Sequence, residues 1–189
     1  MHHIVNFPHE ISGWLTELEG RFLAQFAEGK IVLEIGSYCG RSTVCLGQTA
    51  SHVHAVDTFD GRGTPHQRAT YQEFLDNLTR YGVLNKVSIH ACESKHLNLK
   101  RAIDLAFIDS SHDYNSVKTD IAVALGVLKP DGFLAFHDYR TYPGEHDGRW
   151  DPGVTQAVDE MIAMGGTLVS RAGSVALIRP GIAPGEPAK

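Results

Sequence analysis

Two stretches carry the residue types best suited to chemistry. Phe107-Ile108-Asp109 is followed by Ser110-Ser111-His112-Asp113-Tyr114, and Phe136-His137-Asp138-Tyr139 again ends an apolar run on an acidic group. If both runs are strands of one parallel sheet, Asp109 and Asp138 meet at its C-terminal edge. Carboxylates held that close repel, and one is driven to take up a proton unless a cation sits between them. A hard divalent ion answers that requirement, and the open positions of an octahedral magnesium would accept both oxygens of a vicinal diol or catechol. Such an ion lowers the pKa of the bound hydroxyl. His112, three residues beyond Asp109, has the near-neutral pKa of a general base. The plainer alternatives are a turn-capping Asp138, a His112 that only touches substrate, and Asp113 as a helix cap.

A second constellation lies nearer the start. Val32-Leu33-Glu34-Ile35-Gly36-Ser37-Tyr38-Cys39-Gly40-Arg41-Ser42 reads as a strand, a Gly-bearing turn and a helix start, the place where an α/β sheet binds nucleotides. Asp57, twenty-one residues after Gly36, ends the next strand and could accept hydrogen bonds from both hydroxyls of a ribose. The three-glycine dinucleotide fingerprint is not met. Gly36 and Gly40 sit four apart, and Ser42 stands where the third glycine would be, which argues against a pyrophosphate cradle. Each glycine could instead serve a tight turn or close packing.

These groups need a scaffold, and the hydrophobic periodicity supplies one. Ile11, Trp14, Leu15, Leu18, Phe22, Leu23 and Phe26 predict an amphipathic helix over 11–26 that ends at Gly29. Apolar runs at 31–35, 53–56, 87–91, 105–108 and 133–136 then alternate with helical patterns at 42–50 and 67–81, a short helix after 91 and a helix over 116–128, the last closed by a Lys129-Pro130-Asp131-Gly132 turn. The rhythm is that of βαβ units and a parallel sheet. A helix over 154–164 and two strands, 167–169 and 175–178, around Ala172-Gly173 predict a closing hairpin with one antiparallel strand. The expected organisation is an N-terminal helical segment (1–30), a single α/β domain (31–180) and a mobile Pro/Gly/Ala-rich tail (181–189).

Composition excludes several classes. The chain has 189 residues, 42% hydrophobic and 21% charged, which suits one globular domain. A net charge of −5, with no basic cluster larger than a pair, leaves no footprint for nucleic acid. No apolar run approaches a membrane span and the N-terminus lacks a secretory pattern, so no membrane role is expected. Cys39, Cys45 and Cys92 lack metal spacing and read as reduced thiols, which favours the cytoplasm.

The segment EIGSYCGRS resembles motif I of class I S-adenosylmethionine-dependent methyltransferases and is similar to the corresponding stretch of catechol O-methyltransferase. The resemblance implies a Rossmann-like, mostly parallel seven-stranded sheet with a C-terminal antiparallel hairpin strand and helices on both faces. It also implies that Glu34, Gly36, Ser37, Tyr38, Gly40 and Ser42 hold the methionine end of S-adenosylmethionine, with Asp57 on the ribose and Glu93-Ser94 at the adenine position. The two acidic strand ends resemble the metal-dependent small-molecule O-methyltransferases of methyltransferase family 24, the catechol and macrolide-sugar type. On that resemblance Asp109, His137 and Asp138 are the metal ligands, Asp109 also borders the cofactor, and His112 is the base. The sequence departs at His137, where the family more often has an acid; imidazole suits manganese, iron or zinc better than magnesium, so the third ligand and the choice between magnesium and manganese stay open. Gly153-Val154-Thr155-Gln156-Ala157-Val158-Asp159-Glu160 is similar to the helix that follows the family's active-site loop.

The implied function is O-methylation of a small hydroxylated acceptor: a sugar, catechol or natural product. The Gly-rich loop 139–152, with Tyr142 and Trp150, could be a substrate lid or a loop packed on itself, and a partner subunit could complete the pocket. The rivals are a nicotinamide-dependent oxidoreductase, disfavoured by the missing third glycine and the absent Tyr-x-x-x-Lys pair, and a non-catalytic S-adenosylmethionine-binding module.

Overall fold

The computed structural model describes residues 5–62, 64, 67–100, 102–140 and 152–181. Twelve helices and strands alternate along these residues: α1 (Glu17–Ala27), β1 (Ile31–Ile35), α2 (Arg41–Thr49), β2 (His52–Asp57), α3 (Tyr71–Arg80), β3 (Val87–Ala91), β4 (Ile103–Ile108), α4 (Tyr114–Val127), β5 (Leu128–Phe136), α5 (Gly153–Ala163), β6 (Thr167–Ala172) and β7 (Val175–Arg179). They build one sheet in the order β3-β2-β1-β4-β5-β7-β6. The first five strands in chain order run parallel, and β7 is antiparallel to both β5 and β6. The Rossmann-like sheet and its closing hairpin are as expected.

Strand alternation sorts the core into layers. Leu33, Ile35, Ala106, Ile108, Leu134 and Phe136 pack against Val117, Ile121 and Ala124 of α4 and Val154, Ala157 and Val158 of α5. Val32, Val53, Leu105 and Phe107 face the other way, onto Leu23 and Ala27 of α1 and Cys45 and Leu46 of α2. Phe74 and Leu78 of α3 close the corner against Cys39, Val44 and Ala55. The direction of strand order reverses between β1 and β4. Their following loops therefore part to opposite sides, and a crevice opens at the C-terminal edge.

Two expected elements differ. The first helix begins at Glu17 rather than Ile11, because Thr16 and Glu19 form a capping box: the Thr16 hydroxyl accepts from the Glu19 amide at 3.4 Å, and the Glu19 carboxylate accepts from the Thr16 amide at 2.8 Å. Residues 11–15 are instead an apolar strap with Ile11 and Leu15 buried. The expected turn at 129–132 lies within β5, where the pairing jumps from Ile103–Leu128 to Leu105–Phe133 and absorbs the extra residues as an irregularity. The proposed lid falls largely on 141–151 and the tail on 182–189, which lie outside the described residues.

Candidate active site

A cavity of about 870 Å3 occupies the crevice, walled by the loops after β1, β2, β3, β4 and β5 and by the strap before α1. Of the residues singled out in the sequence, Gly36, Ser37, Tyr38, Ser42, Asp57, Glu93, Ser94, Asp109, His112, His137 and Asp138 line it; Glu34 and Gly40 do not.

Glu34 alternates with Leu33 and Ile35, so it points behind the loop toward α2. One carboxyl oxygen accepts hydrogen bonds from the Ser37 hydroxyl at 2.8 Å and the Thr43 hydroxyl at 2.5 Å. Burial pushes the carboxyl up to about 7, against the pull of the Ser42, Thr43 and Ser37 hydroxyls and helped by the charge of Asp109. Glu34 thus braces the loop from within. Gly40 caps α2, and a Cβ there would lie 2.8 Å from Leu78 Cδ1, so its place is taken by packing.

Gly36 lines the cavity, yet its requirement comes from the sheet. Its φ is +94°, and a Cβ would come within 2.2 Å of the Asp109 carbonyl oxygen. The β1 loop crosses directly over the end of β4, which seats Asp109 beside it; the Asp109 amide donates to Ile35 O at 2.8 Å. Asp57 ties the other side: its Oδ2 accepts from the Ser37 and Tyr38 amides at 2.9 and 2.8 Å, and Oδ1 from Phe59 N at 2.6 Å. At the far wall, Glu93 pairs with Lys95 at 2.5 Å and Arg62 at 3.4 Å. The Ser94 hydroxyl donates to Asp120, which also accepts from Ser110, so Asp120 links the loops after β3 and β4.

At the opposite end, Asp109, His137 and Asp138 bring one donor atom each to within 4.8 Å of one another. His137 is buried at 3% exposure, with Nδ1 3.3 Å from Asp109 Oδ1 and 3.1 Å from Asp138 Oδ2. Its Nε2 lies 3.6 Å from Glu19 Oε2. Burial alone would lower the His137 pKa, but Asp109, Asp138 and Glu19 together raise it well above the ordinary value. His112 sets Nε2 2.6 Å from Asp138 Oδ2, a contact that raises its own pKa against a smaller effect of burial. Asp138 is held well below the carboxylate range: burial raises it, and His112 and His137 outweigh that.

Backbone strain marks the same edge. Tyr38, Phe59, Asp138 and Arg140 have φ of 46°, 55°, 59° and 56°, and all follow the C-terminal ends of β1, β2 and β5. Left-handed non-glycine residues cluster where the surrounding structure fixes them for function. The His112 loop is fixed by α5: a Cβ on Gly153 would lie 2.3 Å from His112 O and 2.4 Å from Tyr114 N.

The sequence reading missed two contributors. Glu19 belongs to the N-terminal segment, yet its Oε1 accepts from Ser174 N at 2.7 Å and Ser174 Oγ at 2.8 Å while Oε2 faces His137. Its capping-box spacing, Thr16-x-x-Glu19, was visible; its second partner was not. The strap is the other. Arg41 donates to Ile11 O at 2.7 Å and Leu15 O at 3.1 Å, and the pinned strap lays Trp14 against Tyr38 with ring centroids 5.5 Å apart.

Cys39, Cys45 and Cys92 are unbridged, as read from the sequence. Among the described residues no helix is long and apolar enough to cross a membrane.

Comparison with known proteins places this geometry in a family. An uncharacterized protein of Acanthamoeba polyphaga mimivirus, R132, is 34% identical over 65 residues, which cover 34% of this chain and 27% of the viral protein. The match thus spans little more than a quarter of that relative. The fold is that of the O-methyltransferase TomG of Streptomyces achromogenes, whose structure is a complex with S-adenosylmethionine (TM-score 0.66, 16% identity, covering 89% of this chain and 82% of that one). It is also that of the Burkholderia thailandensis 1,6-didemethyltoxoflavin-N1-methyltransferase, solved with S-adenosylhomocysteine (TM-score 0.58, 19% identity, 86% and 78% covered). The sequence profile of a family described as a methyltransferase domain matches residues 33–139, more than half of the 189-residue chain. The chain belongs to the methyltransferase domain family.

Proposed function

We propose that the protein transfers the methyl group of S-adenosylmethionine to a hydroxyl oxygen of a small acceptor with the help of a divalent metal. The observation that carries this reading is the convergence of Asp109, His137 and Asp138 on one point, with His112 against Asp138, at one end of the crevice cavity. The loop 36–38, seated on Asp57, forms the wall on which the methyl donor would lie, with Asp57 toward its ribose.

The donor set fits a metal. Two carboxylates and an imidazole suit manganese, iron or zinc, and suit magnesium less well. Asp109, Asp138 and Nδ1 of His137 would hold the ion, with Nδ1 unprotonated so that its lone pair is free to ligate. A bound ion would supply Lewis-acid stabilisation of the acceptor oxygen as its proton leaves.

The residues of the chain do the rest. Asp138 holds the Nε2 edge of His112, so the ring is oriented and made more basic. His112 takes the acceptor's hydroxyl proton. The freed oxygen attacks the methyl carbon, the new O–C bond forms as the C–S bond breaks, and the electron pair of that bond passes to sulfur, leaving neutral S-adenosylhomocysteine. Rate acceleration then rests on alignment and charge neutralisation.

The test is transfer of labelled methyl from S-adenosylmethionine to a simple catechol, with chelated protein and with added magnesium or manganese. Labelled methyl ether that depends on added metal and drops at least ~100-fold in His112→Gln supports the reading. Undiminished transfer in chelator and in Asp138→Ala would leave the metal without a role.

A further inference from the structure

A second group of donor side chains lies on the same sheet, away from the cavity. Among the described residues, the connection from β3 to β4 contains a single 3-10 turn, Ser94–His96, where α/β crossovers ordinarily place a helix. The face of β2 and β3 beneath it carries His52, His54, Ser88 and His90, all half-buried. His52 and His54 are two apart on one strand and so share a face; Ser88 pairs with His54, and His90 is two residues further along that same face of β3. None of the three histidines lines the cavity.

The rings are in contact. His54 Nδ1 is 3.1 Å from His90 Nε2, and the His52 ring lies 4.8 Å from that of His54, its Nε2 2.9 Å from the Ser88 hydroxyl. With Zn–N bonds of ~2.0–2.1 Å, two imidazole nitrogens on a tetrahedral ion stand about 3.3 Å apart. The His54–His90 separation is close to that of a chelating pair, and a cation could take the place of their hydrogen bond once the donor ring carries its proton on its outer nitrogen and both rings turn slightly toward the ion.

We propose that His54 and His90 form a binding site for a divalent transition metal of the zinc, nickel or copper class, on the open face of the β2–β3 edge and independent of the active site. Imidazole pairs select these ions over magnesium and calcium. Burial, and then the neighbouring His52 and His90, hold His54 down to about 4, and burial followed by His52 lowers His90, so neither ring need lose a positive charge before it can ligate. Water completes the coordination, and His52 stands at the rim. The bound ion would clip the edge strand to β2, and those two strands lead to Asp57 and Glu93. Metal binding to the native state alone would raise thermal stability by mass action.

The experiment is a titration of the full chain, labelled with 15N at histidine, with zinc alone, following the ring nitrogens by NMR. Assignments come from through-bond correlations in the unmodified protein, so the reading does not depend on how any variant folds. His54 Nδ1 and His90 Nε2 should shift together along one saturable curve, distinct from any followed by His112 and His137, and His54→Gln should weaken the His90 response about tenfold or more. If zinc moves the resonances of His112 and His137 while those of His54 and His90 stay still, or if His90 responds equally in His54→Gln, the site does not exist. Failure of this test leaves the methyltransferase reading untouched, because no residue of the cavity takes part.

Discussion

Glu19, on the first helix, and His137, at the end of β5, meet across the molecule: Glu19 Oε2 is 3.6 Å from His137 Nε2, on the side of the ring opposite Asp109 and Asp138. The carboxylate is itself anchored by Thr16 and Ser174. A carboxylate behind a ligating histidine fixes the ring's orientation and raises its basicity toward a metal. The N-terminal helix is thereby part of the site. Replacing Glu19 with Gln should weaken manganese affinity by ~10–100-fold while the fold persists. Calorimetric titration of the variant, with circular dichroism to confirm folding, measures this; unchanged affinity would reduce Glu19 to a helix cap.

Gly153 holds the His112 loop by contact. Alanine there would drive a methyl group into His112 O and Tyr114 N, so either α5 or the loop must move. Gly153→Ala is expected to lower kcat by ~10-fold or more through displacement of His112, with KM for S-adenosylmethionine little changed because the cofactor wall is elsewhere. A fall in cofactor affinity alone, without loss of kcat, would contradict the placement.

Glu34 imposes a pH dependence on stability. Its carboxyl titrates near 4.5 when unfolded and at about 7 when folded, so between those values the folded state binds the extra proton and stability falls as pH rises. The loss amounts to up to ~3 kcal/mol and is complete above pH 7, where both states are ionised. Denaturant titrations at several pH values should show this decline in the unmodified protein and a flatter profile in Glu34→Gln.

Trp14 is 43% exposed and lies over Tyr38 at the mouth of the cavity. Trp14→Ala removes a stacking surface worth ~0.5–1.5 kcal/mol, which corresponds to a ~2–10-fold rise in the Kd of whichever ligand occupies that end. Separate titrations with S-adenosylmethionine and with acceptor identify it, and no change in either would assign Trp14 to the strap alone.

β1 was legible because a buried parallel strand is a short apolar run, and half-buried β3 because Val87, Ile89 and Ala91 alternate with Ser88 and His90; both fall where the periodicity put them. Asp109, His137 and Asp138 could be grouped because each follows a strand of one sheet. What stayed hidden depends on contacts between distant segments. Nothing local to Glu19 signals His137, and nothing in the β1 turn says that Gly36 is needed by the Asp109 carbonyl. The resemblance put Glu34 on the cofactor, whereas the alternation of β1 turns its side chain inward, onto Ser37 and Thr43.

Direct binding of the methyl donor tests the central claim. Calorimetric titration of the purified protein with S-adenosylmethionine should give one saturable site per chain, with S-adenosylhomocysteine competing for it and NADH giving no heat. No binding of either adenosyl compound under conditions where the protein is folded, or binding of NADH in their place, would contradict the account.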